Sequence, residues 1–207
     1  MLPSFMVSLP KSFSAWKLID NFISILDRPV STFQPCSIEE KHELFMKLSE
    51  IYPEVLGGGD DGHSTAFTEV NEEDGSVRLK ADRPAILVSS TSWTPDEDFG
   101  ILFEALSRYE SHCEIMPLPN LVCVITGRGP RKEYYRELIN DQHWHHIQVI
   151  MPWLEPQDYP LMLGSADLGV CLHTSSSGVD LPMKVRLHFL RMPKILFTYL
   201  NLHLEIG

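Results

Sequence analysis

The sequence has few cysteines, no long apolar run and no basic stripe. Its four cysteines in 207 residues show neither CxxC nor Cys/His ligand spacing, so we expect structural thiols, no metal and a reducing compartment. No apolar stretch reaches the roughly 18 residues that a membrane-spanning helix requires, so no transmembrane segment is predicted. Basic residues interleaved with aromatic ones are also lacking, which argues against nucleic acid as a partner.

What the chain does have is an ordinary globular composition with an uneven charge. Hydrophobic residues make up 43% and charged residues 22%, as in soluble domains. The net charge is −11, and the stretch from Glu54 to Asp74 holds seven acids and no Lys or Arg. Because that stretch also contains "GGGDDG", we predict a flexible acidic linker over residues 53–82.

Residues 1–52, before this linker, are predicted to form a helical N-terminal extension. From Trp16 onward apolar residues recur at helical spacing, and two interpretations stay open: a helix packed on the domain, or a helix contacting a membrane surface. A second helix is predicted to begin at Ser37, with Glu40 completing a capping box. Its apolar face is predicted to carry Leu44, Phe45, Leu48 and Ile51.

From Arg83 onward, strands and helices alternate with short connections. Buried strands are predicted at 85–90, 121–126, 147–150 and 168–173. The intervening helices are predicted to begin at Thr94 as N-cap with Glu97 closing a capping box, at about Arg131, and at Pro156, with a last one from about Leu181. This alternation predicts an α/β fold with a doubly wound parallel sheet, a Rossmann-like domain over residues 83–207.

Three strand-to-helix loops should meet at the carboxyl edge of that sheet: "SSTSWT" (89–94), "TGRGP" (126–130) and "HTSSSGVDLPMK" (173–184). Hydroxyls, glycines and the cations Arg128 and Lys184 suit a phosphate-bearing ligand. We therefore favour a nucleotide or sugar-nucleotide site over ordinary caps and turns. The histidines of "DQHWHH" are expected to be surface residues rather than metal ligands.

Three longer stretches carry a family resemblance: "LVSSTSWTPDEDFGIL", "LPNLVCVITGRGPRKEYY" and "HIQVIMPWLEPQDYPLMLGSADLGVCLHTSSSGVDLPMKV". They resemble the donor domain of chitobiosyldiphosphodolichol β-mannosyltransferase, and the resemblance runs from Asp27 to about Val185. It implies a GT-B glycosyltransferase, with two Rossmann-like domains and an active site between them. It also implies mannosyl transfer from GDP-mannose to a dolichol-linked chitobiose, an early step of N-glycan precursor synthesis, in the cytoplasm or peripherally at the cytosolic face of the endoplasmic reticulum.

The resemblance assigns donor contacts to all three loops, and it assigns no catalytic residue and no cofactor. GDP-mannose or GDP is the implied ligand. The expected donor-binding residues are Ser92, Trp93, Thr94, Gly127, Gly129, Ser175, Ser176, Ser177, Gly178, Asp180 and Lys184.

The sequence departs from the family pattern after Lys184. The pattern has two acids seven residues apart that hold sugar and ribose hydroxyls; Asp180 matches the first, and Leu187 stands at the second. From about residue 186 the tail is divergent, and most of the acceptor domain has no counterpart. These departures predict a truncated paralogue or isoform with weak or no activity. Two alternatives remain: a non-catalytic module that pairs with a full-length glycosyltransferase, and an unstable product of a degenerate gene.

Overall fold

The fold is given by a computed structural model, which describes residues 36–58, 63–172 and 195–197. The helices are α1 (Ile38–Ser49), α2 (Pro53–Leu56), α3 (Phe99–Cys113), α4 (Lys132–Asn140) and α5 (Asp158–Ser165). The strands are β1 (Thr68–Val70), β2 (Val77–Leu79), β3 (Ala85–Ser90), β4 (Leu121–Thr126), β5 (Ile147–Ile150), β6 (Leu168–Cys171) and β7 (Ile195–Phe197).

Five of these strands form one parallel sheet in the order β5-β4-β3-β6-β7. The chain runs outward from β3 to β4 and β5, then returns to the other side of β3 to form β6 and β7. Because all crossovers have the same hand, α3 and α4 lie on one face of the sheet, and α5, which precedes β6, lies on the other. This doubly wound order confirms the predicted α/β class. The strand β7, in the divergent tail, extends the sheet beside β6.

The core consists of two layers, one on each face of the sheet. Alternate residues of β3 divide between them: Ile86 and Val88 belong to the layer with α1 and α5, and Leu87 belongs to the layer with α3 and α4. Burial on both faces explains why these strands read as continuous apolar runs. In the second layer Cys123 is fully buried, and burial raises the pKa of its thiol to about 12. This cysteine therefore behaves as a small apolar residue.

The predicted capping box at the start of α1 is confirmed. Ser37 Oγ accepts a hydrogen bond from Glu40 N at 3.2 Å, and Glu40 Oε2 accepts one from Ser37 N at 2.8 Å. Leu44 and Phe45 are buried as expected. The prediction for Ile51 is wrong: the helix ends at Ser49, and the Ile51 side chain is 62% exposed.

The acidic segment differs from the linker expected over residues 53–82. Where it is described it forms α2 and the antiparallel hairpin of β1 and β2. Leu56 and Phe67 are buried in the layer with α1, and the hydroxyl of Thr68 lies 2.8 Å from His42 Nδ1. A few apolar side chains set among the acids are enough to join this segment to the core.

The helix α3 begins later than predicted. Thr94 is not its N-cap; Asp98 is, with its Oδ1 accepting from Gly100 N at 2.9 Å. Thr94 and Glu97 instead close a turn through a 3.1 Å bond from Glu97 N to Thr94 O. A proline in second position suits such a turn as well as it suits a helix start, so the sequence pattern was ambiguous.

Three predictions lie outside the described residues: the helix from Trp16, the helix from about Leu181, and the tail other than β7. Within the described ranges, no helix has both the length and the apolar character needed to cross a bilayer.

An ion pair joins the amino ends of the two strands that flank the reversal of strand order. Asp167 accepts hydrogen bonds from both terminal nitrogens of Arg83 at 2.7 Å and from Ile86 N at 2.8 Å. Its own N–H donates to Ile86 O at 2.9 Å. Burial alone would raise the pKa of the Asp167 carboxyl, but the hydrogen bonds from Arg83 and Ile86 outweigh burial and hold the pKa below its usual value.

Replacing Asp167 with alanine should lower the free energy of unfolding by about 1–2 kcal/mol, since Arg83 and Ile86 N–H lose their acceptor in a partly exposed site. Because the folded pKa of Asp167 is lowered, its contribution is complete above the unfolded value of about 3.9 and is lost as pH falls through the folded pKa. Urea denaturation at neutral and acid pH measures both effects. The exposed pair of Glu104 and Arg108 on α3 provides a control, Glu104→Ala, that should cost under about 0.5 kcal/mol. Equal losses in the two variants would contradict the assignment.

Candidate functional site

The strand order reverses between β3 and β6, and the carboxyl ends of these strands mark the expected ligand crevice. Three loops reach this edge within the described residues: 91–98 after β3, 127–131 after β4 and 151–157 after β5. At the end of β3, Ser90 Oγ lies 2.8 Å from the hydroxyl of Tyr159 on α5. The predicted donor residues of the loop after β6 lie outside the described residues; they are Ser175, Ser176, Ser177, Gly178, Asp180 and Lys184.

The side chain of Trp93 does not face the crevice. Its ring is fully buried, with its centroid 4.8 Å from that of Phe99 and 5.6 Å from that of Tyr135. Its backbone has φ of 51°, a left-handed conformation that costs an L-residue roughly 1–2 kcal/mol. Burial of the large ring offsets that cost. Trp93 therefore helps to form the edge by anchoring the loop, and only its backbone can approach a ligand.

The N–H groups of this loop are engaged inside the protein. Glu97, only 3% exposed, accepts from Ser92 N at 2.9 Å and from the hydroxyl of Thr91. Thr91 Oγ1 in turn accepts from Trp93 N at 2.7 Å. The carboxylate of Asp98 caps the following helix. A loop with two engaged N–H groups and adjacent carboxylates is poorly suited to bind phosphate.

The two glycines of "GRGP" are required by contact between loops. A Cβ on Gly127, whose φ is 143°, would lie 1.8 Å from Thr91 O, and a Cβ on Gly129 would lie 1.7 Å from Ser92 O. The sequence interpretation gave these glycines the task of leaving room for a ligand. In the structure the close approach comes from the backbone of the neighbouring loop.

Between these glycines, Arg128 is exposed and covers one face of an aromatic ring. Its guanidinium carbon lies 3.7 Å from the centroid of Trp153, which follows β5 and is 49% exposed. This is a cation–π contact. Sequence reasoning suggested Arg128 as an anion contact and missed Trp153, although a tryptophan shortly after a buried strand was an available signal.

A second cation, Lys132, lies at the first residue of α4. Its Nζ donates to Met151 O at 3.0 Å and to Gly127 O at 3.4 Å, so it links the loops after β4 and β5. Burial, together with the nearby charges of Arg136 and Arg128, lowers the pKa of Lys132. The helix α4 has no side-chain hydrogen bond at its N-cap. Sequence reasoning missed Lys132; the signal was a lysine at a helix start after a glycine loop.

Two histidines of "DQHWHH", His145 and His146, form hydrogen bonds that tie this segment to neighbouring residues. The Glu110 carboxylate accepts from His145 N at 2.6 Å and from His146 N at 3.1 Å, and His146 Nδ1 lies 3.0 Å from Asn120 Oδ1. In the part of the chain that the structure describes, no group of three or more His, Cys, Asp or Glu residues could hold a metal ion.

Strand order and loop positions define a doubly wound, Rossmann-like α/β domain, a class of fold that binds ligands at the carboxyl edge of its sheet. No family model matches the sequence. The chain is 53% identical over 168 residues to chitobiosyldiphosphodolichol beta-mannosyltransferase of Mus musculus, a match covering 79% of this chain and 35% of the relative. The protein of the same name in Homo sapiens is 51% identical over 177 residues, with coverages of 81% and 38%.

A shorter relative matches over most of its length. The Homo sapiens protein named "Putative glycosyltransferase ALG1L2" is 46% identical over 167 residues, which cover 79% of this chain and 72% of that protein. The chain therefore belongs to the chitobiosyldiphosphodolichol β-mannosyltransferase family. It spans somewhat more than a third of the two full relatives, 35% and 38%.

Among solved structures, the pneumococcal O-GlcNAc transferase GtfA in complex with UDP and GlcNAc matches with a TM-score of 0.41 and 17% identity. It covers 54% of this chain and 20% of that one. At this TM-score the comparison adds nothing to the fold assignment, which depends on the strand order.

Replacing Gly127 with alanine should destabilise the domain by about 2–4 kcal/mol, because its Cβ would clash with a backbone carbonyl that cannot move aside. Gly75→Ala is a matched control: Gly75 also has a positive φ, 71°, but a Cβ there meets nothing within 4 Å, so only about 1–2 kcal/mol of backbone strain is expected. Urea denaturation gives both values. If the Gly75 variant lost as much as the Gly127 variant, the inferred loop contact would be incorrect.

Proposed function

We propose that this chain binds GDP-mannose as the donor-binding part of a mannosyltransferase acting on chitobiosyldiphosphodolichol. The observation that carries the proposal is 53% identity over 168 residues with the mouse protein whose name states that transfer. The donor GDP-mannose follows from the family resemblance of the three loops. The same resemblance supports a location of the protein in the cytoplasm or at the cytosolic face of the endoplasmic reticulum.

The charge distribution at the carboxyl edge supports an anionic donor. A leaving nucleoside diphosphate needs cations and N–H donors that stabilise its developing charge. The loop after β3 is acidic and the N–H groups of Ser92 and Trp93 are engaged, whereas Arg128 in the loop after β4 and Lys132 at the start of α4 supply positive charge. We assign the diphosphate to these cations together with Lys184, and the guanine base to the half-exposed ring of Trp153.

Transfer needs more than donor binding. In a GT-B enzyme the acceptor and its general base come from the other domain, as the family resemblance implies. Positioning two reactants can contribute about 7–11 kcal/mol to lowering a barrier. We therefore expect the 207-residue chain alone to bind GDP-mannose but to transfer mannose slowly. Rapid transfer from GDP-mannose to a chitobiosyl lipid by the purified chain would contradict this part of the proposal.

GDP and GDP-mannose should raise the melting temperature of the purified chain, because a ligand that binds only the folded state stabilises it. In calorimetric titration, Lys132→Gln and Arg128→Ala should each weaken binding about tenfold, the loss expected for one charge-assisted contact. Arg108→Ala provides the control, since Arg108 is an exposed cation on α3 paired with Glu104. The absence of any stabilisation by either ligand would refute donor binding, and equal weakening by the control would refute the assigned contacts.

Restoring the second acid of the family pattern should strengthen donor binding. Leu187→Asp is expected to increase the affinity for GDP-mannose about tenfold, since one hydrogen bond to a charged group is worth about 1.5–3 kcal/mol. Leu187→Asn is a matched control of the same shape without the charge, and it should recover less. Calorimetric titration of all three proteins measures the difference. Unchanged affinity in Leu187→Asp would contradict the importance of this departure.

A further inference from the structure

Glu97 is a buried acid in the loop after β3. It lies in a turn before α3, at the carboxyl edge of the sheet, and is 3% exposed. An acid that deep requires hydrogen bonds to replace its lost hydration. Glu97 Oε2 accepts from Ser92 N at 2.9 Å and from the hydroxyl of Thr91.

The hydrogen bonds continue from Glu97 to the left-handed turn. Thr91 uses its hydroxyl twice: it donates to Glu97, and it accepts from Trp93 N at 2.7 Å. One carboxylate therefore fixes the direction of two successive N–H groups, directly at Ser92 and through Thr91 at Trp93. Because one carboxyl oxygen accepts both hydrogen bonds, the Glu97 side chain restrains this turn at a single buried point.

The backbone carbonyls of Thr91, Ser92 and Trp93 contact the loop after β4. Thr91 O and Ser92 O occupy the space where Gly127 and Gly129 would carry a Cβ. Trp93 O accepts from Arg131 N at 3.1 Å, just before α4. Any displacement of the turn is consequently transmitted to the backbone that carries Arg128 and Lys132.

We infer that Glu97 is a positioning residue for the donor: through Thr91 and the turn at Trp93 it holds Arg128 and Lys132 where a diphosphate can reach both. The inference depends on the proposed donor binding. Glu97 itself does not contact the ligand. Its side chain fixes the loop after β3, and that loop fixes the backbone that carries Arg128 and Lys132.

The test is a double-mutant cycle on the full chain with Glu97→Gln and Thr91→Val, both close to the native shape. Each variant should weaken GDP binding about tenfold in calorimetric titration at a temperature where it is folded. The double variant should be no weaker than either single one, because both changes interrupt the same connection. Unchanged affinity in Glu97→Gln, or losses that multiply in the double variant, would overturn the inference.

A control and a second measurement separate this role from simple stabilisation. Asp167→Ala removes a partly exposed carboxylate beside the opposite end of β3, so it should lower stability without changing GDP affinity. Amide hydrogen exchange should accelerate at Arg131 in Glu97→Gln and remain unchanged at Asp167 N–H. If the wild-type chain binds no GDP, donor binding fails and the inference fails with it. If the wild type binds and Glu97→Gln binds equally well, only the inference fails.

Discussion

The carboxyl edge of this domain depends on the burial of one indole. Trp93 belongs to a loop, yet its ring lies inside the layer between the sheet and helices α3 and α4, and its Nε1 donates to Gly127 O at 3.3 Å. A ring of this size can offset an unfavourable backbone conformation that a smaller side chain could not. The ring therefore connects core packing directly to the geometry of two loops. A substitution in that core layer should therefore alter the geometry of the loops at the carboxyl edge, even where the substituted residue contacts no ligand.

Charge is separated between the two loops that meet there. The loop after β3 contributes Asp96, Glu97 and Asp98. The loop after β4 and the first residue of α4 contribute Arg128, Arg131 and Lys132, in a chain whose net charge is −11. An anion approaching the crevice is therefore repelled from one side and attracted to the other. Such a gradient orients a ligand before any contact forms. The basic side chains must also be held in place by other contacts, because the neighbouring carboxylates attract them.

The strands were predictable because burial on both faces leaves an uninterrupted apolar run, as in "AILVSS" and "LVCVIT". The start of α3 was not, because "TPDE" satisfies the requirements of a turn and of a helix start equally well. Trp93 was assigned to the site by the family resemblance, and the sequence holds no sign that its ring turns inward. Lys132 had a signal in the sequence, a lysine at a helix start after a glycine loop. Its two acceptors, the carbonyls of Gly127 and Met151, are brought together only by tertiary structure.

The position of β3 has a consequence for the order in which the domain can form during synthesis. β3 is the first strand of the sheet to leave the ribosome, yet it lies in the interior, and its partner β6 lies about 80 residues later, as the Ile86–Asp167 separation of 81 shows. Until β6 emerges, one edge of β3 can pair only with another chain. The nascent domain therefore has an interval of exposure that ends with a single late pairing, and the Arg83–Asp167 ion pair forms only at that moment.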